Sequence, residues 1–110
     1  MEQKFYYHDE TLPEQVAPEV TRRILAYSSK VMAVEMAFEA GAEGATHEHP
    51  HEQITYILSG MFSFTNDGET RDVRAGDSIR FAPGTRHGVV CIEKGGLLDV
   101  FVPCREDFLA

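Results

Sequence analysis

The sequence has no tryptophan and only two cysteines in 110 residues. Cys91 and Cys104 lack the spacing of a metal or redox motif, and a small disulfide-held secreted scaffold would normally carry more cysteines. Long apolar runs are also missing, since no stretch approaches the roughly 18 residues of a membrane span. The N-terminal sequence MEQKFYYHDE has no apolar core typical of a signal peptide. We therefore expect a soluble, cytoplasmic protein without a membrane partner.

Positive charge is scarce as well. Ten Lys and Arg residues stand against 18 Asp and Glu residues, which gives a formal net charge of −8. Because such a surface repels phosphate backbones, we expect no nucleic-acid partner. With 43% apolar and 25% charged residues, the composition is that of one globular domain. Histidine is the residue in local excess, because three of the five histidines lie between residues 47 and 51.

Short segments rich in β-branched and aromatic residues, separated by Gly, Pro and Asp, run through most of the chain. They predict eight or so strands, at residues 20–27, 31–39, 53–58, 61–65, 69–74, 78–82, 88–93 and 97–102. Asn66-Asp67-Gly68 and Lys94-Gly95-Gly96 predict turns. Residues 11–19 are expected to hold at most a helical turn, because Pro13 and Pro18 oppose a longer helix.

This pattern predicts an all-β fold, either an antiparallel sandwich or a barrel. Short sheets leave their edge strands open to further pairing. We therefore expect a homodimer, in which an N-terminal strand covers one of these edges.

The chemically most informative segment is the run T-H-E-H-P-H-E-Q at residues 46–53. Side chains two apart on an extended chain share a face, so His47 and His49 should converge, with Gln53 at the same parity. The proline in the run leaves the direction of the third histidine open. His87, which follows a turn and begins a later strand, would complete a metal site. Imidazole suits Zn, Ni, Fe, Mn or Cu, and the pattern does not choose among them.

Two spaced motifs carry a family resemblance. The spacing Gly41-x5-His47-x-His49-x3-Gln53-x6-Gly60 resembles the first motif of the cupin superfamily, with Gln where that motif usually has Glu. Gly76-x7-Gly84-x2-His87 resembles the second motif, with Ala82 in place of the expected Pro and Cys91 in place of the usual Asn. The intervening residues 61–75 form a short gap, as in compact cupins.

The cupin resemblance implies a single domain over residues 1–110, folded as a cupin-type antiparallel β-barrel, also called a double-stranded β-helix or jelly roll. The N-terminal arm would cover about residues 1–19, the barrel about 20–103 and a C-terminal tail 104–110.

The resemblance also implies one divalent metal ion, Ni, Zn, Mn or Fe, inside the barrel. Its ligands would be His47, His49, Gln53 and His87, with His51 and Glu52 next to them or at the rim. Three imidazoles and an amide leave the ion's positive charge uncompensated, which suits an anionic ligand. We expect this to favour isomerisation, lyase or hydration chemistry over dioxygen chemistry, unless the Gln is merely tolerated.

The last strand and the tail are the second informative stretch. Asp99 lies inside an otherwise apolar strand, and a buried carboxylate needs a metal, a cation or a chemical task. Phe101 shares its face, and Arg105 follows the strand closely enough to reach the cavity mouth. The local pattern leaves two alternatives, an exposed Asp on an edge strand and a surface Arg paired with Glu106 or Asp107.

The tail D-V-F-x-P-x-R-E-D-F and the run H-x-H-P-H-E-Q resemble small cupins of the KdgF type, the pectin-degradation proteins. This resemblance implies a metal-dependent enzyme that linearises 4,5-unsaturated monouronates from pectin or alginate to 5-keto-4-deoxyuronate. Its substrate would be a small anionic sugar acid, and its catalytic residues Asp99, Phe101 and Arg105. Arg80 or Arg86 could assist in attracting the anion, but the sequence pattern leaves the direction of their side chains open. The alternatives are another cupin metalloenzyme, such as a dioxygenase or sugar isomerase, and a small-anion-binding sensor.

Overall fold

The computed structural model describes residues 3–109, so residues 1, 2 and 110 of the predicted arm and tail lie outside the described part. The described chain consists of strands and two short 3-10 turns, at His8–Glu10 and Glu106–Phe108. In chain order the strands are β1 (Glu14–Ala17), β2 (Val20–Tyr27), β3 (Met32–Phe38), β4 (Glu43–His47), β5 (Glu52–Ile57), β6 (Met61–Asn66), β7 (Glu69–Arg74), β8 (Ser78–Phe81), β9 (His87–Glu93) and β10 (Gly95–Val102). No helix within residues 3–109 is long and apolar enough to cross a membrane.

The strands form two antiparallel sheets, as the all-β prediction requires. The six-stranded sheet has the order β1-β2-β3-β10-β5-β8, and the four-stranded sheet has the order β4-β9-β6-β7. Strand β10 lies between β3 and β5, and β9 lies between β4 and β6, which are the crossovers of a jelly roll. As a result, Asp99 lies on an inner strand of one sheet, and His87 begins an inner strand of the other.

The period-two pattern of the strands separates the core from the outer faces. On β5, Gln53, Thr55 and Ile57 are buried, while Ile54 and Tyr56 between them are exposed. The apolar core between the sheets includes Val20, Phe38, Ala42, Ile57, Phe62, Phe64, Phe81, Cys91 and Leu97. The inward face of β5 is thus apolar at its C-terminal end and polar at its N-terminal end, and the polar end contributes to the functional site.

The prediction of at most a helical turn over residues 11–19 is wrong, because this segment contains β1. Pro13 and Pro18 lie just outside the strand, so neither removes a hydrogen bond from it. Glu14 pairs in register with Arg22 on β2. Pairing with a strand further along the chain therefore decides the conformation, which local propensity does not show.

The predicted turn at Lys94-Gly95-Gly96 is also tighter than expected, because Gly95 and Gly96 already pair with β3. A Cβ atom on Gly95 would lie only 2.0 Å from the carbonyl oxygen of Ser59, so the close backbone approach requires glycine there. The turn at Asn66-Asp67-Gly68 is confirmed, with positive φ angles at Asp67 and Gly68 of 52° and 83°.

Two surfaces bear on the predicted homodimer. Strand β1 pairs with β2 of the same chain and so covers that edge within the chain. The outer face of the six-stranded sheet exposes large apolar side chains, namely Ile54, Tyr56, Leu58 and Val102. Homodimerisation stays a prediction.

Candidate metal centre and catalytic cavity

Three histidines meet at one end of the neighbouring strands β4 and β9, beside the loop that leads to β5. His47 ends β4 and His87 begins β9, and the two residues are paired across these strands. Their ring centroids are 4.4 Å apart, and the ring of His49 lies 5.0 Å from that of His87. The predicted convergence of His47 and His49 is confirmed, but not by an extended strand, because β4 ends at His47 and the following loop carries His49 inward. The amide of Gly84, a residue with a positive φ of 77°, donates to the carbonyl of His49 at 2.8 Å and ties this loop to the turn before β9.

The three imidazoles bring ring nitrogen atoms close to one another. One ring nitrogen from each histidine lies within 4.8 Å of the others. The Nδ1 atoms of His47 and His87 lie 2.8 and 3.0 Å from the carbonyl oxygens of Ala45 and Thr85. Because a carbonyl only accepts, these Nδ1 atoms carry the protons and each Nε2 lone pair is free to bind a metal.

Burial prepares two of the three rings for this role. It lowers the pKa of His87 to about 4, and it also lowers the pKa of His49. Both rings are therefore neutral at physiological pH, and the neutral imidazole is the form that binds a metal.

Gln53 completes the predicted ligand set from β5. Its Oε1 atom is 2.9 Å from Nε2 of His49, while its Nε2 atom donates to Oγ1 of Thr55 at 2.9 Å and to Oδ1 of Asp99 at 3.1 Å. The two amide hydrogen bonds fix the orientation of the side chain, so that the oxygen faces the histidines. Three imidazole nitrogens and one amide oxygen suit a divalent transition metal. The four predicted ligands, His47, His49, Gln53 and His87, are thus brought together.

Asp99 lies inside the barrel and is not the exposed edge residue of the alternative. It faces Thr55 across the β5–β10 ladder and is 9% exposed. Its Oδ1 atom accepts hydrogen bonds from Oγ1 of Thr55 at 2.6 Å and from Gln53 at 3.1 Å. Burial raises the pKa of Asp99 to about 6, against the opposing effects of Thr55, Gln53 and Arg105. A carboxyl group that ionises near neutral pH suits proton transfer.

Arg105 is not the surface residue of the alternative, because its side chain is only 11% exposed, although it does pair with Asp107. It lines the cavity, and its Nε and Nη2 atoms also donate to the carboxylate of Asp107 at 3.0 and 2.9 Å. Its guanidinium carbon lies 5.0 Å from the ring centroid of Phe101, which is buried and packs edge-on to His49 at 5.7 Å. The predicted catalytic residues Asp99, Phe101 and Arg105 therefore line the same cavity as His47, Gln53 and His87.

The cavity has a volume of about 220 Å³ and is polar on one side and apolar on the other. The apolar side consists of Met36, Phe38, Phe64, Val89 and Leu97. At this volume the cavity lies below the usual range of drug-sized sites, which favours a small ligand.

The two further cations suggested by the sequence lie outside this cavity. Arg80 has a side chain that is 67% exposed and bonds Glu52 at 2.8 Å, and Arg86 is exposed. His51 lies beside Phe101, with ring centroids 6.4 Å apart, but does not belong to the histidine cluster.

The sequence reasoning missed three residues of the site. Thr55 has the same inward parity on β5 as Gln53, so strand alternation was a signal for it. Arg22 and Phe108 also line the cavity. Arg22 comes from β2, far away in the sequence, and no local pattern indicates its place.

Comparisons with known proteins agree with this geometry. Residues 34–101 match the family model of the cupin domain. The chain is 37% identical over 108 residues to the pectin degradation protein KdgF of Dickeya dadantii (strain 3937), covering 96% of this chain and 98% of that protein. It is similar to the crystal structure of an RmlC-like cupin from Shewanella frigidimarina NCIMB 400, with a TM-score of 0.93, 37% identity and coverage of 97% and 96% of the two chains. It is also similar to the structure of KdgF from Halomonas sp., with a TM-score of 0.91, 35% identity and coverage of 97% and 99%.

Proposed function

Since the chain belongs to the cupin family, and within it to the KdgF type, we propose that it is an enzyme of pectin degradation that opens the ring of 4,5-unsaturated monouronates. The product is the open-chain 5-keto-4-deoxyuronate. The observation that carries this proposal is a buried carboxyl group, Asp99, which hydrogen-bonds the candidate metal ligand Gln53 inside a cavity that favours a small ligand.

The substrate is a cyclic enol ether with a carboxylate on C5 and a hemiacetal at C1. Ring opening removes the proton of the C1 hydroxyl, breaks the bond between C1 and the ring oxygen, and adds a proton at C4. The products of these steps are an aldehyde at C1 and a ketone at C5. The reaction is therefore an isomerisation that needs one proton carrier and neither an oxidant nor added water.

Asp99 is the proton carrier in this proposal. Because burial raises its pKa to about 6, the carboxylate is mostly ionised at neutral pH and still basic enough to take the anomeric proton. Its protonated form then supplies a proton to C4. Thr55 and Gln53 hold Oδ1 in place through their two hydrogen bonds, which leaves Oδ2 for the substrate.

A divalent ion held by His47, His49, Gln53 and His87 would supply Lewis-acid polarisation of the substrate's carboxylate or ring oxygen. Gln53 adds no negative charge to this ligand set, so it does not weaken the attraction for an anion.

Arg105 binds the substrate carboxylate in this proposal. Its Nη1 atom is not used in the two hydrogen bonds to Asp107 and is available to an anion. Phe101 provides an apolar wall that orients the sugar ring and excludes water. Local positive charge at this site is needed, because the net charge of −8 repels a sugar acid at long range.

The proposal is tested by incubating the protein, loaded in turn with Ni, Zn, Mn or Fe, with an unsaturated monouronate. The ultraviolet absorbance of the conjugated double bond reports ring opening, and an oxygen electrode runs in parallel. We expect loss of absorbance well above the spontaneous rate with at least one metal, and no oxygen uptake. A rate equal to the spontaneous one with every metal would overturn the proposal, and oxygen consumption would point to a dioxygenase.

A further inference from the structure

Arg22 lines the cavity but has no part in the proposed chemistry. It is on β2, and its Nε and Nη2 atoms donate to Oε1 of Glu14 on β1 at 3.0 and 2.8 Å. The same two residues are paired in the strand register. Its side chain is 17% exposed. Arg22 is thus a partly buried cation anchored to the six-stranded sheet.

Phe108 connects Arg22 to Arg105. The guanidinium carbons of Arg22 and Arg105 lie 3.8 and 4.1 Å from the centroid of the Phe108 ring, which is the geometry of cation–π contacts. The same ring packs edge-on against Phe101, with the centroids 5.6 Å apart and the planes at 89°. One aromatic ring of the tail is therefore in contact with both arginines and with the cavity wall.

Arg105 needs such a contact, because it lies beyond the end of β10. Its hydrogen-bond partner, Asp107, belongs to the same tail segment. That pair fixes the shape of the tail but not its position over the barrel. The position depends on two anchors: Cys104 at the start, which is buried and whose amide donates to the carbonyl of Ser29 at 3.3 Å, and Phe108 at the end. The cation–π contact of Phe108 with Arg22 ties this second anchor to β2.

We propose that Arg22 is a positioning residue, which holds the tail (residues 105–108) over the cavity through Phe108, so that Arg105 meets an anionic substrate. The identity of that substrate rests on the proposed function. The contact between Arg22 and the tail does not, and the two are tested separately below.

Cys104 offers a direct readout of the tail. It is 4% exposed and buried with Met32, Val34 and Phe101, and Phe108 packs against this cluster. Burial also raises the pKa of its thiol, which slows reaction with thiol reagents while the tail is closed. Cys91, which is 1% exposed in the other core cluster, is an internal reference. Peptide mass spectrometry after labelling distinguishes the two cysteines.

The test compares Arg22→Met and Phe108→Leu with the matched control Arg23→Met. Arg23 is the next residue on β2 and is equally exposed, at 17%. It contacts the carbonyl of His8 at 2.9 Å and the carboxylate of Glu35 at 3.8 Å instead of the tail. Losing the partly buried cation–π contact with Phe108 should speed labelling of Cys104 by about tenfold in Arg22→Met. The effect should be at least as large in Phe108→Leu, which also loses the contacts with Arg105 and Phe101. Labelling of Cys91 and of the control should not change.

The role in substrate capture has its own readout. With the uronate, we expect Arg22→Met and Phe108→Leu to raise KM by about tenfold while kcat changes little, because the reacting groups stay in place. The double variant should be no worse than Phe108→Leu alone, since Phe108→Leu already removes the contact that Arg22→Met removes. Arg22→Lys should raise KM less than Arg22→Met does, because it keeps the cation. The uronate should also slow labelling of Cys104 in the parent protein, since a bound anion stabilises the closed tail.

Three results would overturn the proposal. The first is labelling of Cys104 that is no faster in Arg22→Met than in Arg23→Met. The second is faster labelling of Cys104 in Arg22→Met with an unchanged KM. The third is a raised KM of Arg22→Met with unchanged labelling of Cys104. If the parent protein does not turn over the uronate, the proposed function fails by itself. In that case, the slowing of Cys104 labelling by the uronate replaces KM as the measure of substrate binding. If the uronate does not slow labelling of Cys104 in the parent protein, the positioning role is overturned.

Discussion

Replacing Asp99 by Asn should stabilise the metal-free protein at neutral pH while abolishing most of its turnover. A buried carboxylate opposes folding when it is ionised, and burial raises the pKa of Asp99 from 3.8 to about 6. The amide oxygen of Asn can still accept the hydrogen bonds from Thr55 and Gln53. The substitution thus removes the penalty and keeps the packing, but it also removes the proton carrier.

The size of the effect follows from the difference between the folded and unfolded pKa of Asp99. Each unit is worth about 1.4 kcal/mol, so a rise from 3.8 to about 6 corresponds to about 3 kcal/mol. Below pH 3.8, Asp99 is protonated in both the folded and the unfolded protein, and the stability that its raised pKa contributes is fully present. As the pH rises to about 6 and beyond, the unfolded state ionises first and the stability is lost. Asp99→Asn should therefore match the parent near pH 4 and exceed it by about 3 kcal/mol near pH 8.

The measurement is urea unfolding of chelator-treated parent and variant proteins across this pH range. The other titratable groups are the same in both proteins, so their contributions cancel when the two free energies of unfolding are subtracted. Asp72→Asn, which removes an exposed carboxylate on β7, is the matched control and should change little at any pH. A difference that is independent of pH would refute a raised pKa at Asp99, and a variant as active as the parent would refute its catalytic role.

Three further predictions concern the other residues of the site. Gln53→Glu should lower turnover and shift the pH–rate profile to higher pH. The reason is that a second carboxylate would replace the amide now 3.1 Å from Asp99 and raise the pKa of Asp99 further; an unchanged profile would contradict this. Arg105→Ala should raise KM by about 10- to 100-fold with a smaller effect on kcat, as expected for loss of a charged hydrogen bond, whereas Arg80→Ala should leave KM unchanged. Chelator treatment should lower the free energy of unfolding, and the metal should restore it, by about 4 kcal/mol at a thousandfold excess over Kd. His87→Ala should lose this response, and a response as large as that of the parent would remove His87 from the ligand set.

The sequence predicts most of the strands because their inward and outward residues alternate. Strand β1 does not show this alternation, since it forms by pairing with β2 and its side chains are mostly exposed. Strand β4, with the sequence EGATH, is mostly exposed, so it too has no alternating apolar signal. Both strands are held by partners elsewhere in the sheets, which a local pattern cannot show.

The metal site is predictable because its ligands recur at fixed short spacings next to strand ends. The spacing does not show that His49 lies in a loop, or that the amide of Gln53 is oriented by Thr55 and Asp99. The place of Arg22 depends on the contact of β2 with the tail, which is a property of the tertiary fold alone.

Ring opening in the cavity of Asp99 is tested most directly by proton NMR of an unsaturated monouronate in deuterium oxide, with metal-loaded protein. The vinyl proton signal at C4 should disappear well above the spontaneous rate, the open-chain 5-keto product carrying deuterium at C4 should appear, and Asp99→Asn should show only the spontaneous rate. Loss of the vinyl signal no faster than in buffer, or equal rates for the parent and Asp99→Asn, would contradict the proposed reaction.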